Sequence, residues 1–83
     1  MDDWVTYLVE CNDGSLYCGA TNNIENRMKV HNSGKGSKYT RSRLPVTLLL
    51  TSKPLSKQDA LKLERVVKKC KANEKIDYLR KFV

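Results

Sequence analysis

The sequence lacks any apolar segment that approaches the roughly 18 residues needed by a membrane-spanning helix. With 40% hydrophobic and 30% charged residues, it also lacks the polar bias of a disordered chain. At 83 residues it is too short for several domains or for a large cofactor crevice. We therefore expect one globular domain over residues 1–83 and no membrane partner.

Cysteine is scarce, which limits the kinds of redox and metal site that the chain can form. Cys11, Cys18 and Cys70 are odd in number, and no pair has the two-residue spacing of redox or zinc sites. We interpret them as reduced structural thiols, because free cysteine is commonly buried. The N-terminal residues 1–4 (MDDW) contain no basic stretch, apolar core or cleavage site of a secretory signal. We therefore expect a cytoplasmic protein.

Basic residues are absent from the first 26 positions, which contain five acidic side chains. All 16 Lys and Arg residues follow, with only 4 of the 9 acids. Residues 27–43, here called the basic segment, contain no acid and these basic side chains: Arg27, Lys29, Lys35, Lys38, Arg41 and Arg43. Glycines, serines and Tyr39 lie between them. Such a segment is typical of a phosphate-backbone contact, and a solvated basic face is the alternative. The missing counter-charges favour nucleic acid as the partner.

The first half of the chain predicts a β-hairpin and a short helix. Residues 4–10 and 15–21 are rich in β-branched and aromatic types and flank the loop sequence NDG. Asn22 begins a capping-box pattern, which predicts a helix over residues 23–32. Gly34 is placed to end that helix in the left-handed conformation, and the Gly/Ser-rich sequence after it indicates a loop. We expect a partner to bind at this loop.

The hairpin loop decides whether its two tyrosines share a face of the sheet. A two-residue turn pairs Tyr7 with Ala20 and places Tyr17 on the opposite face. A three-residue loop pairs Tyr7 with Gly19 and aligns the two tyrosines. The loop sequence favours the second form, with Gly14 in the left-handed position. Strand tyrosines are more commonly packing residues than proton carriers, so both roles stay open.

The second half predicts a strand and two helices. Residues 46–51 form a near-continuous apolar run after Pro45, which predicts a strand buried on both faces and central in its sheet. Ser56 begins a capping pattern for a helix over residues 57–70. A third helix is expected over residues 73–81. The predicted fold is α+β, with a small sheet of about three strands flanked by three helices.

Three side chains could carry chemistry beyond packing. Glu64 lies beside the apolar stripe of the 57–70 helix, which Leu61 and Val66 widen, so it needs a partner: either Lys68, four residues on, or a metal or catalytic role. Arg27 and His31 are four residues apart and point from one side of the first helix. Arg27 is a rim charge or a two-pronged phosphate ligand, and His31 is a structural residue or a proton carrier.

The order of these features resembles the GIY-YIG nuclease family. The resemblance lies in residues 5–7 (VTY) and 17–19 (YCG) on the hairpin, Arg27 and His31 on a helix, and Glu64 on a later helix. Val, Thr and Cys stand where the family name has Gly and Ile, while both tyrosines and the last glycine remain. Three runs, LYCGATN, HNSGKG and KYTR, are similar to the small stand-alone bacterial branch of this family, an uncharacterised protein family.

The resemblance implies a three-stranded antiparallel sheet flanked by helices and hydrolysis of phosphodiester bonds with one divalent metal ion, Mg²⁺ or Mn²⁺. Glu64 would be the metal ligand and Arg27 the phosphate clamp. Tyr7 and Tyr17 match the two motif tyrosines, one of which would position or deprotonate the attacking water with help from His31. A single carboxylate suffices for such an ion, because Mg²⁺ keeps several waters and binds phosphate oxygens.

We therefore expect an endonuclease acting on DNA that is structure-selective or depends on a protein partner. The alternative is a nucleic-acid-binding module of the same fold with little or no cleavage. In either case the expected nucleic-acid contacts lie in the basic segment: Lys35, Lys38, Tyr39, Arg41 and Arg43. The sequence favours no particular recognition sequence, because contacts of this kind carry little base information.

Overall fold

The computed structural model describes residues 2–83, which form three strands and four helices. In chain order these are β1 (Val5–Glu10), β2 (Leu16–Thr21), α1 (Ile24–Asn32), α2 (Lys38–Arg41), β3 (Thr47–Thr51), α3 (Lys57–Lys69) and α4 (Ala72–Arg80). The strands form one antiparallel sheet in the order β2-β1-β3. The predicted α+β fold with a three-stranded antiparallel sheet is confirmed, with one helix more than expected.

The hairpin adopts the three-residue loop. Gly14 has a φ of 83°, the left-handed conformation that such a loop requires of one residue. Tyr7 is paired with Gly19, so Tyr17, two residues before Gly19, lies on the same face as Tyr7. The aligned arrangement of the two tyrosines is therefore confirmed.

The prediction of a central, fully buried β3 is wrong. This strand lies at the edge of the sheet, where Leu48 is 39% and Leu49 40% exposed. The pairing of β1 with β3 shifts register between Leu8 and Val9 of β1, and the two neighbouring leucines of β3 lie exposed there. Val46 and Leu50 pack against the core. The strand buried on both faces is β1, whose residues 6–9 are all buried. Composition misled here because an apolar run does not reveal which of its residues find partners.

The helix in the predicted loop is α2, a single turn. Ser37 caps it by accepting a hydrogen bond from the Thr40 N–H at 3.1 Å, and Thr40 is fully buried. The preceding helix, α1, is capped by Asn23 rather than Asn22, and it ends before Gly34, which has a φ of 84° as expected. One turn of four residues has no periodicity to detect, so packing rather than propensity holds α2 in place.

Apolar side chains pack on both faces of the sheet. On one face α3 and α4 cover this cluster: Leu8, Cys18, Leu63, Val67 and Leu79. The other face carries a second cluster: Tyr7, Val9, Cys11 and Val46, with Tyr17, Ile24, Met28 and Leu44 against it. Leu61 and Val66 do not widen the buried stripe of α3 as predicted, because they are 38% and 43% exposed. Within residues 2–83, no helix has the length and apolar character to cross a membrane.

Candidate active site

Tyr7, Arg27 and His31 meet in the second cluster, on the α1 side of the sheet. The Tyr7 hydroxyl lies 2.8 Å from His31 Nε2, and Arg27 Nε donates to the same hydroxyl at 3.3 Å. Tyr7 and His31 have no exposed surface, whereas Arg27 is partly exposed. The central strand fixes Tyr7, and the i, i+4 spacing on α1 brings both other side chains to it, as expected.

Two glycines make room for this cluster. A Cβ at Gly19 would overlap the Tyr7 hydroxyl, so the retained glycine of the second hairpin motif has a steric reason. A Cβ at Gly36 would lie 3.0 Å from His31 Cα and overlap the imidazole ring. Neither glycine has a positive φ in this structure, so the demand is for space rather than for backbone conformation. Any side chain at Gly19 or Gly36 would displace a ring.

Thr40 is a member of the site that our sequence reasoning missed. Its Oγ1 lies 3.0 Å from His31 Nδ1, so both ring nitrogens of His31 have partners. Thr40 was not singled out because it lies in the predicted loop and does not titrate. The serine cap three residues before it, at Ser37, is the local signal that could have indicated an ordered turn there.

Aromatic rings extend the site from the buried histidine to the surface. The Tyr17 ring packs edge-on against His31 with centroids 5.4 Å apart, and it stacks on Tyr39 at 5.9 Å. The Arg43 guanidinium lies 4.1 Å from the Tyr39 ring centroid and donates to Asp13 Oδ2 at 3.0 Å. Arg43 therefore has a counter-charge, supplied by the hairpin loop 30 residues away. The sequence around Arg43 does not indicate this ion pair.

Glu64 stands on α3, at the side of the site near β2. The Cys18 thiol contacts the Glu64 backbone carbonyl at 3.9 Å, and burial raises the pKa of that thiol to about 12, as suits an unreactive packing residue. The Glu64 carboxylate accepts from Lys68 Nζ at 2.9 Å, so the ion pair is confirmed. Lys68 Nζ also lies 5.5 Å from the Tyr17 ring centroid, which links the carboxylate to the aromatic rings.

Glu64 has the carboxylate oxygens that a hard divalent cation binds, but its neighbours in the groove include two basic side chains. Its side chain is 19% exposed and borders an open groove of about 240 Å³ lined by Leu61, Arg65 and Lys68. No group of three or more His, Cys, Asp or Glu residues comes together within residues 2–83, so a cage made of protein ligands alone is not formed there. Mg²⁺ and Mn²⁺ can bind through one carboxylate, waters and substrate phosphates, so Glu64 would hold such an ion only together with phosphate oxygens that offset Arg65 and Lys68.

Tyr7 and His31 are both uncharged at neutral pH. Burial is the main cause that raises the pKa of Tyr7, and the hydrogen bond from Arg27 opposes it only in part. Burial also lowers the pKa of His31, and the positive charge of Arg27 adds to this effect. His31 is therefore an uncharged imidazole, in which one ring nitrogen carries a hydrogen and the other does not.

The other predicted nucleic-acid contacts surround α2. Lys35, Lys38 and Arg41 are exposed, and none of them forms an ion pair within residues 2–83. Tyr39 is 38% exposed beside them. We call these exposed basic side chains on and beside α2 the positive surface. Tyr39 of α2 stacks on the Tyr17 ring, while Arg43 is engaged with Asp13.

Comparison with known proteins identifies the relatives of this arrangement. Residues 3–77 match the family model described as the GIY-YIG catalytic domain. A UPF0213 protein of Bacillus cereus is 48% identical over 75 residues, which cover 90% of this chain and 78% of that protein. A UPF0213 protein of Streptococcus agalactiae is 45% identical, with 89% of this chain and 84% of that protein covered.

Two solved structures are also similar. The solution NMR structure of a UPF0213 protein from Bacillus halodurans has a TM-score of 0.57 at 40% identity, covering 93% of this chain and 82% of that chain. The solution NMR structure of a protein from E. faecalis has a TM-score of 0.62 at 40% identity, covering 94% of this chain and 83% of that chain.

Proposed function

This chain belongs to the GIY-YIG catalytic domain family, which points to a nuclease superfamily, and we propose that it is a metal-dependent endonuclease that hydrolyses phosphodiester bonds in DNA. The observation that carries the proposal is the buried contact between the Tyr7 hydroxyl and His31 Nε2, with Arg27 on the same hydroxyl. A phenol between a neutral imidazole and a guanidinium is suited to moving a proton beside a phosphate. Its location in the cytoplasm and its single-domain organisation remain predictions.

The proposed reaction is attack of water on phosphorus. The water oxygen forms a bond to phosphorus while the bond from phosphorus to the leaving oxygen breaks; the leaving oxygen then takes a proton from solvent, to which His31 later returns the proton it has gained. The water proton passes to the Tyr7 oxygen as the Tyr7 proton passes to His31 Nε2, along the 2.8 Å contact. The raised pKa of Tyr7 makes a free phenolate rare, so the tyrosine needs His31 as the acceptor.

Arg27 has two tasks in this scheme. Its Nε donates to Tyr7, and its terminal nitrogens can hold two oxygens of one phosphate. Tyr7 is fully buried, so the attacking water must gain access to its hydroxyl. We expect a bound phosphate to draw the Arg27 guanidinium outward, so that Nε donates to Tyr7 in the free protein and the terminal nitrogens hold the phosphate once substrate is bound and the path for water is open.

Glu64 would hold the divalent ion in the groove beside Tyr17 and Lys68. When bound, such an ion would neutralise charge on the phosphate oxygens and on the leaving group. Glu64 must first exchange its ion pair with Lys68, whose side chain is 48% exposed, and a pair that is open to solvent at its lysine contributes little. Lys35, Lys38 and Arg41 would bind the phosphates that flank the cleaved bond.

Cleavage of a labelled panel tests the proposal: supercoiled plasmid, single strand, flap, fork and RNA, each with Mg²⁺, Mn²⁺ or a chelator. The variants are Glu64→Gln and, as the matched control, Glu74→Gln, an exposed glutamate in the first turn of α4. We expect the wild type and Glu74→Gln to cleave at least one DNA substrate. Glu64→Gln and the chelator should both abolish cleavage. Activity that persists in Glu64→Gln would contradict the proposal.

One observation favours the second candidate, a binding module that does not cleave. The Tyr7 hydroxyl is fully covered in the absence of substrate, as expected of a structural tyrosine. If the protein is a binding module, the wild type binds DNA in a salt-dependent manner and leaves every substrate of the panel intact. Lys38→Ala would then weaken binding, while Glu64→Gln would behave like the wild type.

A further inference from the structure

Tyr7, His31 and Thr40 form a row of hydrogen bonds with no exposed surface. The Tyr7 hydroxyl is 2.8 Å from His31 Nε2, and His31 Nδ1 is 3.0 Å from Thr40 Oγ1. Thr40 Oγ1 is in turn 3.3 Å from the backbone carbonyl oxygen of Ser37. Counting donors and acceptors along this row decides which nitrogen of the imidazole carries the hydrogen.

The Tyr7 hydroxyl has two hydrogen-bond partners, Arg27 and His31. Arg27 Nε has only a hydrogen to give, so the Tyr7 oxygen accepts from it. The hydrogen of the Tyr7 hydroxyl then needs an acceptor, and Tyr7 has no surface at which bulk water could provide one. His31 Nε2 is the remaining partner of that hydroxyl, so Nε2 must be the unprotonated nitrogen.

The bare Nε2 also determines the direction of the remaining hydrogen bonds, at His31 Nδ1 and at Thr40. A neutral imidazole with a bare Nε2 carries its hydrogen on Nδ1, which donates to Thr40 Oγ1. The Thr40 hydroxyl donates its own hydrogen bond to the Ser37 carbonyl oxygen. Every donor then has an acceptor. The opposite tautomer leaves the buried Tyr7 hydrogen unpaired, which is costly.

We infer that Thr40 is a positioning residue that holds the hydrogen of His31 on Nδ1 and thereby keeps Nε2 bare toward Tyr7. This inference rests on the proposed function for its catalytic meaning, since a bare Nε2 is what the Tyr7 proton requires. Thr40 touches neither the phosphate nor the water in this scheme. It acts through His31 alone, by accepting one hydrogen bond.

The turn around α2 serves this contact. Ser37 Oγ accepts from the Thr40 N–H at 3.1 Å and also lies 3.1 Å from Thr40 Oγ1, which fixes the threonine side chain. Gly36 passes against His31 so closely that no side chain fits between them. The loop after α1 therefore brings a backbone and a hydroxyl to the far side of the imidazole.

Nitrogen NMR tests the inference without substrate. His31 is the chain's only histidine, so long-range proton–nitrogen correlations show one imidazole. We expect wild-type protein at neutral pH to show a protonated Nδ1 and a bare Nε2. Thr40→Val, which keeps the shape but cannot accept, should shift both nitrogens toward values averaged between the tautomers, while Thr40→Ser should resemble the wild type. A wild-type spectrum with the hydrogen on Nε2, or an unchanged spectrum in Thr40→Val, would overturn the inference.

Cleavage kinetics test whether the contact between Thr40 and His31 matters for the reaction. Loss of a partner that orients a working histidine typically costs about 10- to 100-fold, so we expect Thr40→Val to lower kcat by that factor with KM unchanged. Thr40→Ser should restore most of the rate. Thr47→Val, at an exposed threonine of β3, is the matched control and should behave like the wild type. An unchanged kcat in Thr40→Val, beside an altered tautomer, would overturn the positioning role.

Two safeguards keep the outcomes separable. If Thr40→Val loses the dispersed amide spectrum of a folded protein, the wild-type and Thr40→Ser spectra still decide the tautomer. If the wild type cleaves nothing, the proposed function fails, yet the nitrogen spectra still confirm or refute the hydrogen position. The tautomer and the nuclease activity can therefore fail independently.

Discussion

The site has an inner half and an outer half that are built in opposite ways. The inner half, Tyr7, His31 and Thr40, is fully buried, and its side chains hydrogen-bond to one another. The outer half, Glu64 and Lys68 on α3, is charged, solvent-accessible and joined by one ion pair. In the proposed mechanism this difference is a division of labour. A proton path needs fixed distances, whereas a metal and phosphate site needs groups that can exchange partners.

The largest expected effect separates Tyr7, in the inner half, from Tyr17, whose ring packs beside His31. Tyr7→Phe should lower cleavage by roughly 10² to 10⁴, the usual share of acid–base catalysis. It should also lower the free energy of unfolding by about 1–3 kcal/mol, because His31 Nε2 is left buried without a partner. Tyr17→Phe keeps its ring against His31 and should do less on both counts. Rates and urea unfolding of the pair check this, and equal effects would erase the distinction.

Gly36→Ala tests how tightly the inner half is packed. The new Cβ would overlap His31, so we expect a loss of about 1–3 kcal/mol in the free energy of unfolding. Asn22→Ala, at an exposed position just before α1, should change stability little. Thermal or urea unfolding of the two variants measures the difference. A Gly36→Ala protein as stable as the wild type would show that the inner half is loose.

The pH dependence of stability should reveal His31. Its folded-state pKa lies below the ordinary histidine value of 6.5, so the unfolded chain binds the proton more readily. The contribution of His31 is therefore fully present above about pH 6.5 and is lost as the pH falls below that value. Asp13, whose pKa lies below 3.8, acts only at more acid pH. Between pH 5 and 6.5 the wild type should lose stability more steeply than His31→Gln, and parallel curves would contradict this.

The smallest expected effect lies outside both halves, on the positive surface around α2. Lys38→Ala should weaken DNA binding a few-fold and reduce the slope of log affinity against log salt by about 1. Lys62→Ala, in the groove between α3 and α4, is the control and should leave the slope unchanged. Fluorescence titrations at several salt concentrations measure both. An equal change in the two variants would point to net charge rather than to a defined contact.

Local rules predicted the parts of the site that lie close in sequence. The loop glycine Gly14 fixed the register that aligns Tyr7 with Tyr17, and helix periodicity placed Arg27 beside His31. The capping pattern at Ser56 gave the start of α3 correctly. Each of these inferences depends on geometry within a few residues.

Contacts between distant segments were beyond those rules. Thr40 joins the site only because α2 folds back onto α1, and Arg43 finds Asp13 across 30 residues. The position of β3 at the sheet edge likewise follows from how three strands share one core, which composition does not specify. Lys68 was foreseen as an ion-pair partner of Glu64, but its approach to Tyr17 was not.

The division of labour can be measured most directly by comparing Tyr7→Phe with Glu64→Gln in two assays. One assay is single-turnover cleavage of the best DNA substrate, and the other is Mn²⁺-induced broadening of amide resonances around Glu64. We expect both variants to lose cleavage, while only Glu64→Gln loses the broadening. Cleavage by either variant at the wild-type rate, or Mn²⁺ broadening that survives in Glu64→Gln, would contradict this expectation.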